Sequence, residues 1–340
     1  MDEIFGRRDM IAPVKLKELS VKSDLHGFVQ LGSHLGALVL SAAALLLTWG
    51  TFWAIPAFIV HGTLINFLYA GQHELSHWTV FRTKGLNELF GRGFGFLLFY
   101  PRDFDQVQHF AHHRFTQNWE RDGELARDRY TLTSYLLWML GPTYWYTRVR
   151  RILRFSLGIV TEPYIPEGRK AGLVREARWH LAGYGLIAAL SVATRSWLAL
   201  EIWLLPMVAM KPVHQLQNTI EHLGLPHIDT ITQNTRSTRT NALMRWMGWM
   251  GWMGWNMQYH TAHHAFPGVP CYRLPALHQE IFLKKNSAPP TMCYLGFQLA
   301  VFCAFWNGRT EADYPDDAMW ISDDADFARL APRVRPSAKV

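Results

Sequence analysis

The residues of this chain that could do chemistry are histidines in three tight clusters. The spacing His-x-x-His-His occurs twice and places three imidazoles on one face of a helix. The clustered histidines are His73, His77, His109, His112, His113, His260, His263 and His264. Imidazole binds iron, zinc, copper and nickel, so the clusters predict metal binding without identifying the ion. Their number suits two metals with four or five ligands each.

A ninth candidate ligand is His222, which follows an apolar segment by about three helical turns. Its neighbour Glu221 is charged, which favours a hydrated or metal-lined position for this stretch. The alternative is that Glu221 and His222 cap a surface turn before Gly224. We expect Asn218, Glu221 and Asp122 to lie around the metals without binding them. The histidines outside the clusters are interpreted as structural; they are His26, His34, His61, His180, His214, His227 and His278.

Two other metal chemistries compete for the first cluster. His73-Glu74-Leu75-Ser76-His77 matches the His-Glu-x-x-His motif of zinc metallopeptidases, in which Glu74 would be the general base. That site would leave most of the clustered histidines unexplained. A soluble carboxylate di-iron bundle needs a second Glu-x-x-His motif on a facing helix, and no suitable one is found in the sequence. The histidine-rich dinuclear site is therefore the preferred hypothesis.

The elements that must position these clusters are apolar segments. From Leu25 to His73 there is no Asp, Glu, Lys or Arg, which is enough chain for two bilayer-spanning helices of about 20 residues. We predict spans at Phe28–Thr48 and Thr51–Ala70. A second hairpin is predicted at Trp179–Thr194 and Trp197–Lys211. The fold class expected is an all-α integral membrane protein with about four transmembrane helices in two hairpins.

The metal ligands must lie on one side of the membrane, which restricts the other apolar segments. Gly93–Pro101 is too short to cross. Tyr130–Thr147 must lie along the surface, because a crossing there would separate the second and third clusters. Asn286–Gly308 could be a fifth span, but we favour the surface. A helical cap on the cytoplasmic side then carries the histidines, since basic loops share that side. Three segments follow: a cytoplasmic N-terminal segment at 1–24, a membrane domain at 25–308 and a partly disordered tail at 309–340.

The distribution of charge excludes one class of protein, and the cysteines are uninformative. The net charge of +7 comes from arginines in loops beside apolar blocks and not from one basic module, so nucleic acid is not an expected partner. The three cysteines show no metal-binding spacing. The Trp-Met-Gly repeats between Trp246 and Trp255 are interpreted as a Trp stripe against the membrane surface, with a substrate wall as the alternative.

The clusters read HELSH, HFAHH and HTAHH, and together they resemble the histidine boxes of the membrane-bound fatty acid desaturase and hydroxylase superfamily. The run from His260 to Pro270, followed by Leu274 to His278, resembles the family sequence after its third box. Asn218-x-x-x-His222 resembles an extra ligand that some acyl desaturases contribute. The resemblance covers nearly the whole chain. It departs at Gln106-Val107, where the family often has Trp-Arg.

The resemblance implies two non-haem irons, held by the eight clustered histidines and His222, that use O2 to attack an unactivated C–H bond. It implies a desaturase of fatty-acyl chains in which the di-iron centre itself is the catalyst, with no separate acid or base. Alternatives are hydroxylation, a carotenoid, sphingolipid or amino-acid-derived substrate, or metal binding without redox chemistry. The sequence has no haem, flavin or iron–sulfur motif, so a ferredoxin-like or cytochrome-type donor and its reductase are implied. Arg148–Arg154 offers a cationic dock for that donor or, equally, for lipid headgroups.

Overall fold

The computed structural model describes residues 8–228, 231–238, 249–285, 289 and 291–321. These residues are mostly helical. Their one sheet is a two-residue parallel pair in which β1 (Ser237–Thr238) bonds to β2 (Thr291–Met292) in the register Ser237 to Thr291. The all-α class predicted from the sequence is therefore confirmed for the described part of the chain.

The helices fall in the following order within the described residues. They are α1 (Pro13–Leu19), α2 (Asp24–Thr48), α3 (Ala54–Ser76), α4 (Lys84–Leu97), α5 (Arg102–Phe115), α6 (Leu132–Met139), α7 (Pro142–Ser156), α8 (Glu167–Thr194), α9 (Leu205–Ala209), α10 (Lys211–Ile220), α11 (Ile231–Asn234), α12 (Trp249–Met253), α13 (His260–Ala265), α14 (Leu274–Ile281) and α15 (Tyr294–Trp306). Short 3₁₀ turns lie at Arg8–Met10, Gly123–Leu125, Met257–Tyr259, Cys271–Arg273, Leu283–Lys285 and Glu311–Asp313, with a π-helical turn at Leu200–Leu204.

The chain divides into two compact units that alternate along the sequence. The first unit comprises Met1–Ser23, His109–Leu136 and Leu216–Val340, and the second comprises Asp24–Gln108 and Leu137–Gln215. The second and third histidine clusters and His222 belong to the first unit. The first cluster belongs to the second unit.

In the second unit, α2 and α3 form the first predicted hairpin. They contain 25 and 23 residues, and both are long and apolar enough to cross a membrane. The turn between them includes Gly50, whose φ of 81° is a left-handed conformation that glycine adopts without strain. The helix α3 runs past the predicted end of its span to Ser76, so His73 lies in its last turn and His77 follows directly.

Two of the scattered histidines hold this hairpin together. Nε2 of His34 lies 2.9 Å from the carbonyl oxygen of Leu64, and Nδ1 of His61 lies 2.8 Å from Oγ of Ser41. Each bond joins a residue of α2 to a residue of α3. Buried polar groups must find such partners, because an unpaired one in an apolar layer is costly. These contacts agree with a structural role for His34 and His61.

The second predicted hairpin is only partly regular. Its first arm is the end of α8, and Arg195 forms the expected turn with a left-handed φ of 52°. Its second arm is not one helix: a π turn at Leu200–Leu204 leads into the short helix α9, and α10 begins at Lys211. Pro206 and Pro212 lack the N–H that an uninterrupted helix needs. Among the described residues, only α2 and α3 meet the length and composition of a membrane span.

The remaining apolar segments are short in the structure. The segment predicted to lie on the surface is broken where Gly141 takes a φ of 100°, which separates α6 from α7. The apolar run before Pro101 begins in α4, which ends at Leu97, and continues as a non-helical segment. The helix α15 has 13 residues, fewer than the roughly 20 that cross a bilayer. Of the Trp-Met-Gly stretch, residues 246–248 lie outside the described ones. Trp249–Met253 forms α12 and the Trp255 side chain is fully buried, so a stripe against the membrane surface stays a prediction for the other tryptophans only.

Part of the predicted tail packs against the first unit. The backbone N–H groups of Trp320 and Ile321 both donate to the carbonyl of Gly224. Arg127 forms a bidentate ion pair with Glu311, at 2.7 and 3.0 Å. Residues 309–321 are therefore ordered beside the loop that follows His222, and residues 322–340 lie outside the described part.

Candidate metal centre

The last two turns of α5 carry the second histidine cluster. His109, His112 and His113 follow one another at i, i+3 and i+4, and the helix ends at Phe115. His109 and His112 are almost fully buried, and His113 is half-buried. The helical period alone brings the three rings to one side, where the ring centroids of His109 and His113 lie 4.3 Å apart.

The third cluster lies on the short helix α13, and every residue of that helix is buried. His260, His263 and His264 again follow the i, i+3, i+4 pattern. Ser237 on β1 contacts this helix, because its hydroxyl donates to Oγ1 of Thr261 at 3.0 Å. A six-residue helix is too short to be stable by itself, so burial and these contacts hold it in place.

Within the first unit the two clusters meet and form two groups of three imidazoles. The first group is His109, His113 and His263, and the second is His112, His222 and His264; in each, one ring nitrogen per histidine lies within 4.8 Å of the others. In the first group, Nε2 of His113 lies 3.2 Å from Nε2 of His263. In the second, Nε2 of His112 lies 3.1 Å from Nε2 of His222.

His222 lies at the centre of the second group. It is the second residue after α10, and its Nε2 lies 2.8 Å from Nε2 of His260 and 3.1 Å from Nε2 of His112. Its position is fixed from two sides. The carbonyl of Asn234 lies 3.1 Å from its Nδ1, and the side-chain amide of Gln117 donates to its own carbonyl at 2.6 Å. The structure thus brings His222 together with residues of both clusters.

Carboxylates surround the histidines. Oδ2 of Asp122 lies 2.9 Å from Nδ1 of His112, and Oε1 of Glu124 lies 3.2 Å from Nδ1 of His109. A carboxylate oxygen of Glu221 is 3.7 Å from Nδ1 of His260. Asp122 and Glu221 thus lie beside His112 and His260, respectively. Asn218 is half-buried one turn before His222, and its side chain makes no hydrogen bond within the described part of the chain.

The electrostatics favour neutral imidazole at two positions. Burial and the charge of His112 lower the pKa of His222 to about 3. Burial also lowers the pKa of His264 well below its ordinary value, and the neighbouring histidines add to the effect. His112 differs: burial lowers its pKa, but the charge of Asp122 and other carboxylates outweighs burial and raises it to about 9. Burial raises the pKa of the Glu221 carboxyl well above its usual range.

The hydrogen bonds of His112 and His222 leave one ring nitrogen of each histidine available to bind a metal ion. Asp122 and the carbonyl of Asn234 are acceptors, so they hold a proton on Nδ1 of His112 and of His222. Each Nε2 is then left with a lone pair, yet the two atoms lie only 3.1 Å apart. Two lone pairs at that distance repel. The repulsion is removed by a proton on Nε2 of His112, whose pKa is raised to about 9, or by a metal cation that takes the place of that proton and is bound by both rings. Nε2 of His264 is buried and has no hydrogen-bond partner among the described residues.

The first histidine cluster, His73 and His77, belongs to the second unit. The rings of His73 and His77 lie 5.5 Å apart at the end of α3, on the same side of that helix. Ser76, between them, is held by two groups of α5. Its hydroxyl donates to Oδ2 of Asp105 at 3.0 Å, and its carbonyl accepts from Nε2 of Gln106 at 2.7 Å. Gln106, which replaces a residue common in the resembling family, therefore fixes the end of α3.

Sequence reasoning missed three groups around the site. They are the Glu124 carboxylate, the Asn234 carbonyl and the Gln117 amide. Glu124 could have been found from Asp122-Gly123-Glu124, an acidic pair a short distance after the second cluster. The carbonyl of Asn234 carries no signal in the sequence, because every residue has a backbone carbonyl.

Comparison with known proteins adds one finding. Residues 47–289 match the family described as fatty acid desaturase, which is more than half of the chain and includes all nine candidate histidines. A search of the curated proteins finds no match.

Proposed function

Because the chain belongs to the fatty acid desaturase family, a family of oxidoreductases, we propose that it is an O2-dependent membrane enzyme with two irons. Its reaction is the introduction of a double bond into a fatty-acyl chain. The observation that carries this proposal is the pair of imidazole groups in the first unit, each with three ring nitrogens within 4.8 Å of one another. Histidine-rich sites with open positions suit iron that reacts with O2.

The nine histidines are assigned to the metals as follows. His109, His113 and His263 hold one iron, and His73 and His77 join them by the family pattern of three boxes. The second iron is held by His112, His222 and His264, with His260 beside them. When bound, the two irons supply the O2 chemistry that removes hydrogen from an unactivated C–H bond.

The chain itself prepares this chemistry through residues that orient the ligands. The Asp122 carboxylate and the Asn234 carbonyl keep a proton on Nδ1 of His112 and His222, so that Nε2 of each ring faces the metal. The burial of α13 excludes water from the third cluster. Water exclusion matters because a strong oxidant otherwise reacts with solvent and is wasted.

The family and the two apolar helices indicate association with a membrane. We extend this to four spans in two hairpins, with the histidines on the cytoplasmic face. The electrons come from an external ferredoxin-like or cytochrome-type donor and its reductase. Arg148 is buried, so a donor dock on α7 would have to use the exposed Arg150 and the half-buried Arg154. Arg154 also pairs with Glu162 at 3.3 Å.

Two measurements test the proposal. The protein purified in mild detergent from iron-replete cells should contain close to two irons per chain by elemental analysis. Cells that express it and receive labelled fatty acid should accumulate a product lighter by two hydrogens. One zinc and negligible iron would refute the assignment and restore the peptidase alternative for His73–His77. A product with one added oxygen would replace desaturation by hydroxylation.

Topology is tested separately by labelling single introduced cysteines in intact cells. Positions near 80, 115, 165 and 265 should react only from the cytoplasm, and positions near 50 and 195 only from outside. Labelling of 115 and 265 from opposite faces would mean that the segment of α6 and α7 crosses, and the four-span arrangement would be wrong.

A further inference from the structure

Two cations are buried in the second unit without a carboxylate partner among the described residues. Arg148 on α7 is 8% exposed and Lys211 at the start of α10 is 1% exposed. No carboxylate of the described residues lies within 4 Å of either side chain. Buried charges in proteins are normally paired, because an uncompensated one carries a large desolvation penalty. Two of them close together in one unit therefore need a counter-charge.

Aromatic rings compensate these cations only in part. The guanidinium carbon of Arg148 lies 3.7 Å from the ring centroid of Tyr100 and 4.5 Å from that of Tyr144. Nζ of Lys211 lies 3.6 Å from the ring centroid of Tyr144 and 3.1 Å from Nδ1 of His214. Cation–π contacts offset a small part of the cost of burying a charge. Despite the effect of burial, the two cations also lower the pKa of the Tyr144 hydroxyl. Even an ionised Tyr144 would neutralise only one of the two cations, so the positive potential of the cluster persists.

Donor groups in this cluster also lack acceptors. Nε of Arg148 and one terminal nitrogen of Arg151 are buried and have no hydrogen-bond partner among the described residues. Arg151 packs on Phe104, with its guanidinium carbon 4.1 Å from the ring centroid. The acid that follows α7, Glu162, is bound by Arg154 instead. Planar guanidinium groups with free N–H donors are suited to bind carboxylate or phosphate oxygens.

We propose that Arg148, Lys211 and Arg151 bind the oxyanionic head group of the substrate, a carboxylate or a phosphate monoester. The proposal rests on the proposed function, to which it adds the class of substrate. Tyr69 connects the cluster to the histidines of the same unit: its ring lies 4.9 Å from that of His214 and 6.4 Å from that of His73. Tyr69 and His73 are one helical turn apart on α3, so the ring of Tyr69 lies between the cluster and a proposed iron ligand.

The test measures binding and not turnover. The full-length iron-loaded protein in detergent is titrated with decanoate, with decyl phosphate and with uncharged decanol, by calorimetry and by thermal unfolding. One or both anions should bind and raise the Tm, and decanol should bind at least 10-fold more weakly. Which anion binds more tightly identifies the head group as carboxylate or phosphate. Equal affinity for decanol and both anions would overturn the proposal.

The variant Lys211→Met keeps an unbranched side chain, one atom shorter than lysine, and removes the charge. It should weaken anion binding by about 10- to 100-fold, since a hydrogen bond to a charged group accounts for that range. The control is Arg175→Met, which removes an exposed charge of the same unit and should bind like the wild type. Unchanged anion affinity in Lys211→Met would refute the head-group site.

A second, more conservative variant keeps the proposal testable if Lys211→Met fails to fold. Arg148→Lys retains the charge and loses the planar donor fork, so it should fold and still show a measurable loss of anion affinity. Iron content is measured on every variant, because a head-group site predicts wild-type iron with weakened binding. A wild-type protein that binds decanoate but makes no oxidised product would refute the desaturase function and leave the oxyanion site standing.

Discussion

Replacement of Asp122 by Asn removes the charge of a carboxylate that three donor groups contact. The carboxylate lies 2.9 Å from Nδ1 of His112 and accepts from the backbone N–H groups of Gln117 and Glu124, at 2.9 and 2.8 Å. An Asn amide group has one oxygen for these three donors. If its NH2 group turns to His112, that ring must accept at Nδ1 and carry its proton on Nε2, where the metal should bind.

The size of the effect follows from those contacts. Loss of an outer partner of a ligating histidine costs about 10- to 100-fold in metal affinity, which is about 1.4 to 2.7 kcal/mol. Stability falls as well, because a hydrogen bond to a buried charged group contributes about 1.5–3 kcal/mol. We expect Asp122→Asn to retain the fold, to lose iron from the group of His112, His222 and His264, and to unfold at a lower temperature.

The assay is competition with an iron chelator, followed by elemental analysis and thermal unfolding. Asp128→Asn makes the same chemical change at an exposed side chain of the same unit, and it should behave like the wild type. If Asp122→Asn and Asp128→Asn retained iron equally against the chelator, the argument that Asp122 orients His112 would be refuted.

The iron-free protein gives this prediction a pH signature. Despite burial, the charge and hydrogen bond of His112 hold the pKa of Asp122 below its ordinary value, so its contribution to stability disappears as pH falls through that lowered pKa. The pKa of His112 is raised to about 9, so its contribution is complete below about 6.5 and disappears as pH rises through 9. The Tm difference between wild type and Asp122→Asn should therefore be largest between about pH 4 and 6.5, and a flat profile would contradict the ion pair.

The remaining predictions concern a ligand, a helix contact and the metal. His222→Ala should abolish turnover and lower the iron content, whereas His227→Ala, whose ring stacks on Trp119, should retain both; wild-type iron and activity in His222→Ala would limit the site to eight histidines. Gly62→Ala should lower stability by about 1–3 kcal/mol, because its Cβ would come within 2.4 Å of a backbone oxygen of α9. Gly36→Ala, which meets no atom within 4 Å, should be nearly neutral in the same thermal assay. Removal of the metal by a chelator should lower the Tm of the wild type, since the native state alone binds it, and an unchanged Tm would argue against a bound metal.

The sequence alone determined the helical character of the clusters and the first hairpin. The spacing i, i+3, i+4 places side chains on one face of any helix, whatever the rest of the fold does. The uncharged run from Leu25 to His73 needs no tertiary information, because bilayer thickness sets the length of a span. The match to the fatty acid desaturase family agrees with the resemblance read from the same three clusters.

The tertiary structure decided which histidines meet and what holds them. His222 and His260 are 38 residues apart in the chain, and the second and third clusters are about 150 apart, so no local period relates them. Their distances depend on how α5, α10 and α13 pack. The acceptor that orients the His222 ring is the backbone carbonyl of Asn234, and residue types in the sequence give no signal for a backbone group.

The burial of Arg148 is a second feature that the sequence could not predict. In the sequence it is one of several arginines in a basic segment, and its neighbours suggest an exposed dock. In the structure, the rings of Tyr100 and Tyr144 pack on Arg148, and Lys211 contacts the ring of Tyr144. Whether a charge faces water or a ring depends on the elements packed over it, and those elements are distant in the chain. That is why residue types and spacing predicted the chemistry of the metal centre, and only the packed structure could reveal two buried cations without an acid.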